Sequence, residues 1–452
     1  MKKEHTANYE LTEGVIWKQL LLFFFPIMLG SFFQQLYNTA DTVIVGQFVG
    51  KEALAAVGAT GQPIQLLVGF FVGISSGSTV IISQFFGAKR TQDIEKAIHT
   101  SVALSLAGGL LFMLIGLALS DPILRVMNTP ADCFESALLY IRIYFLGMIP
   151  TFLYNMGTGI LRALGDSKSP MYILIACCIV NILLDLLLVP VMKLGIFGAA
   201  LATILSQLLS AVLVAISLIR KKSMFTFRFR KLNFTPNMLG RILLIGFPTG
   251  LQSATYSISN VVVQSGVNSF GTDMVAAWSA FSKMDSIFWM ISGAFGIAVT
   301  TFVGQNFGAK NFDRIRKSVR ISLSMEFAAA AFSSLLFLAA GPYLLKIFTN
   351  DADVLACGMQ LIHLLTPFYA LFACIEIFSG AIRGVGEALY PMLVSIFGVC
   401  LFRVVWMLFI LPLHHTIGMI AICYPVSWGI TSVIFLIYYL RGNWLKRGLS
   451  NA

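Results

Sequence analysis

Long apolar runs follow one another along nearly the whole chain, separated by short polar clusters. Twelve of them reach roughly the 20 residues that a helix needs to cross a bilayer: 16–38, 53–80, 97–119, 134–156, 170–190, 195–219, 239–264, 274–303, 319–340, 358–379, 391–411 and 417–440. Inside several runs the polar residues recur at helical steps. In "SFFQQLYNTADTVIVGQFVG", residues Gln34, Tyr37, Asn38 and Asp41 form one broad stripe at steps of three and four. Asn181 and Asp185 stand one turn apart in "NILLDLLLVP", where every other residue before Pro190 is Leu, Ile or Val. Ala199, Thr203 and Gln207 share a face in the next run. The pattern predicts an all-α integral membrane protein of twelve transmembrane helices. The first fourteen residues are polar and carry no cleavage-site pattern, so no removable signal peptide is expected.

Composition agrees with a lipid environment: 58% of residues are hydrophobic and 11% charged, against about 25% charged in a soluble domain. The formal charge of +11 raises the question of nucleic acid, and its placement answers it. With the N-terminus inside, 24 of the 31 Lys and Arg fall on the inner side, in the tails and the loops near 90, 165, 225, 313 and 383. Lys51, Arg125, Lys193 and Lys346 fall outside, and Arg142, Lys283 and Arg403 lie within spans. This positive-inside bias predicts a multi-pass protein with both termini cytoplasmic and needs no nucleic acid. The basic run Arg220–Lys222 with Arg228, Arg230 and Lys231 reads as a cytoplasmic linker facing anionic lipid. Five of the seven Cys lie inside spans as small apolar residues. Cys133 and Cys357 lie near outer span ends, where a pairing is open, and no disulfide framework or zinc spacing is implied.

The chain is written twice. Gln84, Phe86, Gly87, Ala88 and Lys89 recur as Gln305, Phe307, Gly308, Ala309 and Lys310, at an offset of 221. Gly159, Arg162, Gly165 and Pro170 recur as Gly380, Arg383, Gly386 and Pro391 at the same offset, and Phe25-Pro26 as Phe247-Pro248 at 222. The reading is an N-lobe over 1–220, a basic linker over 221–236 and a C-lobe over 237–452. Six spans per half is an even number, so the lobes are parallel repeats about an axis along the membrane normal. That is a transporter architecture, with the substrate path between the halves.

An ionised Asp at the bilayer centre costs about 2.5–3.5 kcal/mol on insertion scales, so Asp185 must face the interior and pair, bind a cation or take up a proton. Asn181 and Asp185, with Asp41 and Thr203 on their own stripes, make a hard-oxygen set suited to Na+ or to a proton shared between two carboxylates. The offset sharpens this. Asn181, Asp185 and Thr203 map to Phe402, Trp406 and Tyr424, and Asp41 to Val262 or Val263. The ion chemistry is therefore expected in the first half alone. The bland alternative is interhelical hydrogen-bond glue.

At this point "NTADTVIVGQFVGKEALAAVG" (38–58), "FFGAK" (85–89), "GILRALGDSKSP" (159–170) and "NILLDLLL" (181–188) resemble the MATE family, the multidrug and toxic compound extrusion transporters, over almost the whole chain. The resemblance implies two six-helix lobes, alternating access and location in a bacterial cytoplasmic membrane. It implies export of organic, often cationic, compounds and drugs driven by inward Na+ or H+, with no other cofactor. For the branches with an N-lobe ion site it implies Asp41, Asn181, Asp185 and Thr203 as ligands, with a carbonyl from Ala199. For substrate, resemblance and pattern point to Gln34, Tyr37, Asn155, Met156 and Gln207 in the N-lobe. Other branches use acidic residues in the C-lobe, which leaves a contribution from Asp285, Glu376 and Arg403 open. Asp285 and Glu376 map to Ile64 and Asn155, so neither has an acidic counterpart. Arg403 is expected to pair with one of them and to stack on an aromatic ring. Glu326 is expected in the cytoplasmic third of span nine, reaching the interface or pairing with Arg320.

Two other classes were weighed. A flippase for a lipid-linked precursor wants a large basic cavity, for which Arg142 and Arg403 are few. An intramembrane enzyme is not expected, because the chain has no His-Glu-x-x-His, Gly-x-Ser-x-Gly or Walker sequence. The fused repeat supplies two lobes without dimerisation, so a functional monomer with membrane lipid around it is the expectation.

Overall fold

The computed structural model describes residues 11–221, 225 and 227–451, and these are almost entirely helical. The first half holds α1 (Ile16–Phe48), α2 (Lys51–Gly87), α3 (Thr91–Val126), α4 (Ala131–Leu146), α5 (Met148–Ala163), α6 (Lys168–Leu186, prolonged by a π-helical turn to Val191) and α7 (Gly195–Arg220). The second holds α8 (Pro236–Asn268), α9 (Thr272–Gly308), α10 (Phe312–Lys346), α11 (Ala352–Leu365) and α12 (Tyr369–Gly384). After these come α13 (Leu389–Ser395) and α14 (Phe402–Val405), joined and followed by π-helical turns, then α15 (Ile417–Leu440) and a short α16 (Asn443–Asn451). Among the described residues ten helical segments are long and apolar enough to span a membrane, and the pair α4–α5, bent by 51°, makes an eleventh when counted as one span. Helix α8 matches α1 in length at 33 residues, but Gln252, Ser253, Thr255, Ser257, Ser259 and Asn260 dilute its apolar character. Several helices outrun the apolar runs that announced them. Helix α1 continues to Phe48, which places Asp41 within it.

Backbone turns repeat at the sequence offset. Lys89 and Lys310 both adopt left-handed conformations, with φ of 57° and 59°. Each follows a helix end closed by parallel bonds: Lys89 N–H to Phe86 O and Arg90 N–H to Phe85 O, then Lys310 N–H to Phe307 O and Asn311 N–H to Asn306 O. This is the Schellman closure, and it usually carries Gly at the left-handed position. Gly165 and Gly386 keep that glycine, at φ 85° and 97°.

By contacts the chain forms two units, one from Phe25–Gly250 and the other from Leu11–Phe24 with Leu251–Ala452. The division falls inside α1 beside Pro26 and inside α8 just past Pro248, not at the 221–236 linker. In the first unit, α8 crosses α2 with backbones touching. A Cβ on Gly77 would lie 2.7 Å from Gly246 N, one on Gly246 2.6 Å from Ile74 O, and one on Gly250 2.6 Å from Phe70 O. Gly73 and Gly77 thus face Gly246 and Gly250, two small-xxx-small pairs meeting in antiparallel fashion. Inside a membrane such close contact takes the place of hydrophobic driving force. In the second unit the start of α1 packs on α9, where Phe24 and Phe295 stack at 4.1 Å.

The segment before α1 is pinned in the second unit. Leu11 N–H donates to Gln305 Oε1 at 3.0 Å, and Leu11 O accepts from Asn306 Nδ2 at 3.2 Å. Arg314 donates to the carbonyls of Leu11, Glu13 and Gly14. The 221–236 linker is held on α3 of the first unit. His99 Nε2 accepts from Arg228 N–H at 3.3 Å, and Thr100 Oγ1 accepts from Thr235 N–H at 3.2 Å. Lys222, part of the expected basic run, lies outside the described residues. All seven Cys are free thiols, Cys133 and Cys357 included.

Candidate functional site

The stripes read from sequence converge in the first unit. Asn181 and Asp185 are 0% exposed on α6, Asp41 is 6% exposed on α1 and Thr203 3% on α7. Asp41 and Asp185 are close enough to interact electrostatically with each other and with Tyr37. Helices α6 and α7, which carry Asn181 and Asp185 and the Ala199–Thr203 face, pack against each other. Thr203 Oγ1 donates to Ala199 O at 3.0 Å.

The hydrogen-bond account does not close within the protein. Asp41 Oδ2 accepts from Tyr140 Oη at 3.4 Å, while Asp41 Oδ1 is buried without a partner. Both carboxylate oxygens of Asp185 and both amide atoms of Asn181 are also buried without partners. The large majority of buried side-chain polar atoms are paired, so this concentration of unpaired oxygens sets the cluster apart. Carboxylates, an amide oxygen, a hydroxyl and a carbonyl form a hard donor set that suits Na+ or a proton. Among the described residues no three His, Cys, Asp or Glu side chains are grouped to hold a metal ion.

The substrate candidates divide. Tyr37 and Gln207 belong to the ion cluster's surroundings: Gln207 Nε2 donates to Tyr144 Oη at 3.5 Å, and Thr151 donates to Gln207 Oε1. Asn155 is half-buried on α5 and donates to Thr151 O at 2.8 Å. Gln34 is exposed on α1. Met156 is 0% exposed, with Ser75 Oγ 3.7 Å from its sulfur. It packs as core and does not offer an adaptable surface.

Sequence reading missed Tyr140 and Tyr144 of α4. They sit one turn apart on the face toward Asp41 and Gln207. The signal was the i, i+4 spacing in "YIRIY", hidden because Tyr passes as apolar within a long run.

In the second unit, Asp285 accepts from Tyr369 Oη and, at 2.5 Å, from Trp289 Nε1. Glu376 lies against Gly296, whose added Cβ would sit 2.7 Å from its carboxyl carbon. Arg403, expected to pair with one of these acids, instead stacks its guanidinium over Tyr424 at 3.9 Å and donates from Nε to Ser427 Oγ at 3.3 Å. The expectation of an aromatic platform is met, and the ring face takes the role of the acid. Glu326, expected near the interface or paired with Arg320, is fully buried and accepts from Ser292 Oγ.

The comparisons with known proteins agree with this architecture. The family model MatE matches twice, over residues 26–187 and 248–408, the two halves of the repeat. Among curated relatives, the probable multidrug resistance protein YoeA of Bacillus subtilis is 29% identical, over 99% of this chain and 98% of its own length. The probable multidrug resistance protein NorM of Thermotoga maritima is 25% identical, over 99% of this chain and 97% of its own. Among solved structures, a MOP superfamily transporter from Pyrococcus furiosus aligns with a TM-score of 0.90 at 22% identity, over 98% of this chain and 100% of that one. A MATE protein in complex with MaL6 aligns with a TM-score of 0.91 at 23% identity, over 98% and 100%. With both repeats matched and the fold reproduced over nearly its full length, the chain belongs to the MATE family of transporters.

Proposed function

We propose that this chain is a secondary antiporter that exports organic, often cationic, compounds in exchange for inward Na+ or H+ by alternating access. The ion site is Asp41, Asn181, Asp185 and Thr203 with the Ala199 carbonyl, and Tyr37, Asn155 and Gln207 border the substrate path. The observation that carries this reading is Asp185: fully buried, on a lipid-embedded helix, with neither carboxylate oxygen satisfied by the protein. An unpaired carboxylate in a membrane interior is stable only with a cation or a proton on it. Binding there offsets the desolvation cost and draws Asp41, on α1, toward Asp185, on α6, so occupancy couples to the position of α1. The curated relatives' names as multidrug resistance proteins support the choice of cargo.

The test is efflux of a fluorescent organic cation from proteoliposomes under imposed Na+ or H+ gradients. Wild type should respond to one gradient, which names the ion, and Asp41→Asn and Asp185→Asn should each abolish the response. Undiminished gradient-driven efflux in both variants would make the two carboxylates structural glue.

A further inference from the structure

Glu326 is the acid that the fold buries most completely in the second unit and that the reading above does not use. It is 0% exposed. It lies fourteen residues into the 35-residue α10, roughly 20 Å along the helix axis and well inside the apolar layer. Its Oε1 accepts from Ser292 Oγ of α9. Its Oε2 is buried without a partner, and so is Ser322 Oγ, one turn earlier on the same face of α10. Ser292 and Ser322 are themselves 0% exposed.

No cation balances this carboxyl. The other titratable groups near it are Glu376 and Cys374 of α12. On α9, Asp285 already accepts from Tyr369 and Trp289. Arg383, farther along α12, acts on Glu376 and donates to Ser379 Oγ at 3.0 Å. On α10 itself Arg320 is exposed, and on α11 His363 is exposed with Nδ1 at 2.7 Å from Met359 O. An ionised Glu326 would be left with one hydroxyl donor and an acidic neighbour, in a medium where an unpaired charge costs several kcal/mol. A protonated Glu326 removes that cost, because a neutral carboxyl keeps the Ser292 bond and leaves no unpaired charge in the apolar layer.

We propose that Glu326 is a proton-binding site of the second unit, formed with Ser292 and reached from water through Glu376. Glu376 is half-buried. Its carboxyl fills the place left by the absent side chain of Gly296, one turn along α9 from Ser292. The Ser292–Gly296 line of α9 therefore faces both acids, and a proton leaving Glu326 meets Glu376 first. Nothing in this inference depends on the Asp41–Asp185 site, and its readout is separate from transport.

The experiment is infrared spectroscopy of the purified protein in lipid, with and without carbon-13 in its Glu carboxyls. At neutral pH the expected result is a protonated-carboxyl band that shifts with Glu labelling. It should move on transfer to D2O, persist in the Asp41→Asn/Asp185→Asn double variant and vanish in Glu326→Gln. If Glu326→Gln does not accumulate, Glu326→Asp carries the same test: the labelled band is lost and an unlabelled Asp band replaces it. Absence of a Glu band in wild type, or its survival in either Glu326 variant, overturns the proposal. Glu376→Gln should slow the D2O shift at least several-fold, and an unchanged rate overturns Glu376 as the route.

Discussion

Removing the charge of Lys221 should destabilise the protein far more than removing that of Arg447, although the two occupy matching places. Both ion pairs fix the loop before the last two spans of a half to a segment at that half's C-terminal end. Asp166 follows left-handed Gly165, and Glu387 follows left-handed Gly386, at the repeat offset. Asp166 is 2% and the Lys221 side chain 15% exposed, with Nζ 2.9 Å from Oδ2. Ser169 also donates to this carboxylate, from its N–H to Oδ1 at 2.9 Å and from its hydroxyl to Oδ2 at 2.6 Å. Breaking a fully buried pair by deleting one partner costs about 3–5 kcal/mol. The two Ser169 bonds and the residual exposure of Lys221 lower the expectation for Lys221→Met to about 2–3 kcal/mol. Arg447 is 60% exposed, and Glu387 keeps two 2.7 Å contacts to Tyr438 Oη after its loss, so water screens most of that pair. The assay is the midpoint of denaturant unfolding in a fixed micelle for Lys221→Met, Arg447→Met, Asp166→Asn and the Asp166→Asn/Lys221→Met double variant. The double variant should recover much of the loss, since no buried charge remains. A Lys221→Met protein as stable as wild type, or one less affected than Arg447→Met, refutes the reasoning.

Three other outcomes follow from specific contacts. Gly77→Leu should abolish the monodisperse folded peak in gel filtration, because its Cβ already lies 2.7 Å from Gly246 N; Gly240→Ala on the same α8, with nothing within 4 Å, should leave the peak intact. Asp285→Leu can accept from neither Tyr369 nor Trp289, so the change should appear in tryptophan emission, and an unchanged spectrum counts against the Trp289 hydrogen bond. Cys357 is partly exposed while Cys133 is buried, so a maleimide should modify Cys357 faster in mass-spectrometric time courses, and failure of both thiols to react under non-reducing conditions would indicate the disulfide that the structure lacks.

Span positions were legible because they depend on apolar runs alone, and the duplication because it is written in the residues that close turns: Lys89 and Lys310, Gly165 and Gly386. The break in span four was not legible. Residues 134–156 read as one run, yet α4 and α5 meet at Gly147 with a 51° bend. Pro150 lies in the first turn of α5, where proline costs no hydrogen bond, so no sequence penalty announces the break. Depth was misread for Glu326 because its apolar run begins near 319, whereas α10 begins at Phe312. Its partner Ser292 belongs to another helix, and the packing of α9 on α10 leaves no mark in the spacing of either segment. Arg403 shows the same limit: the search was for an opposite charge, and Tyr424 supplied a ring.

The residues of the proposed ion site stand where the two halves of the repeat part. Two copies of one backbone carry different chemistry at matching positions. Where the first half has Asn181, Asp185 and Thr203, the second has Phe402, Trp406 and Tyr424, with Phe402 and Trp406 rings 5.6 Å apart and Arg403 lying on Tyr424. Three acids within the second half's helices, Asp285, Glu326 and Glu376, fall at the counterparts of Ile64, Ser105 and Asn155. Packing alone would keep both copies alike, as it does at the turns and helix ends. The positions at which the copies part are therefore those that the fold leaves free to specialise. In each half those positions hold the intramembrane carboxyls whose oxygens the protein leaves unpaired: Asp41 and Asp185 in the first, Glu326 in the second. Asp285 shows the other arrangement, with its two oxygens accepting from Trp289 and Tyr369.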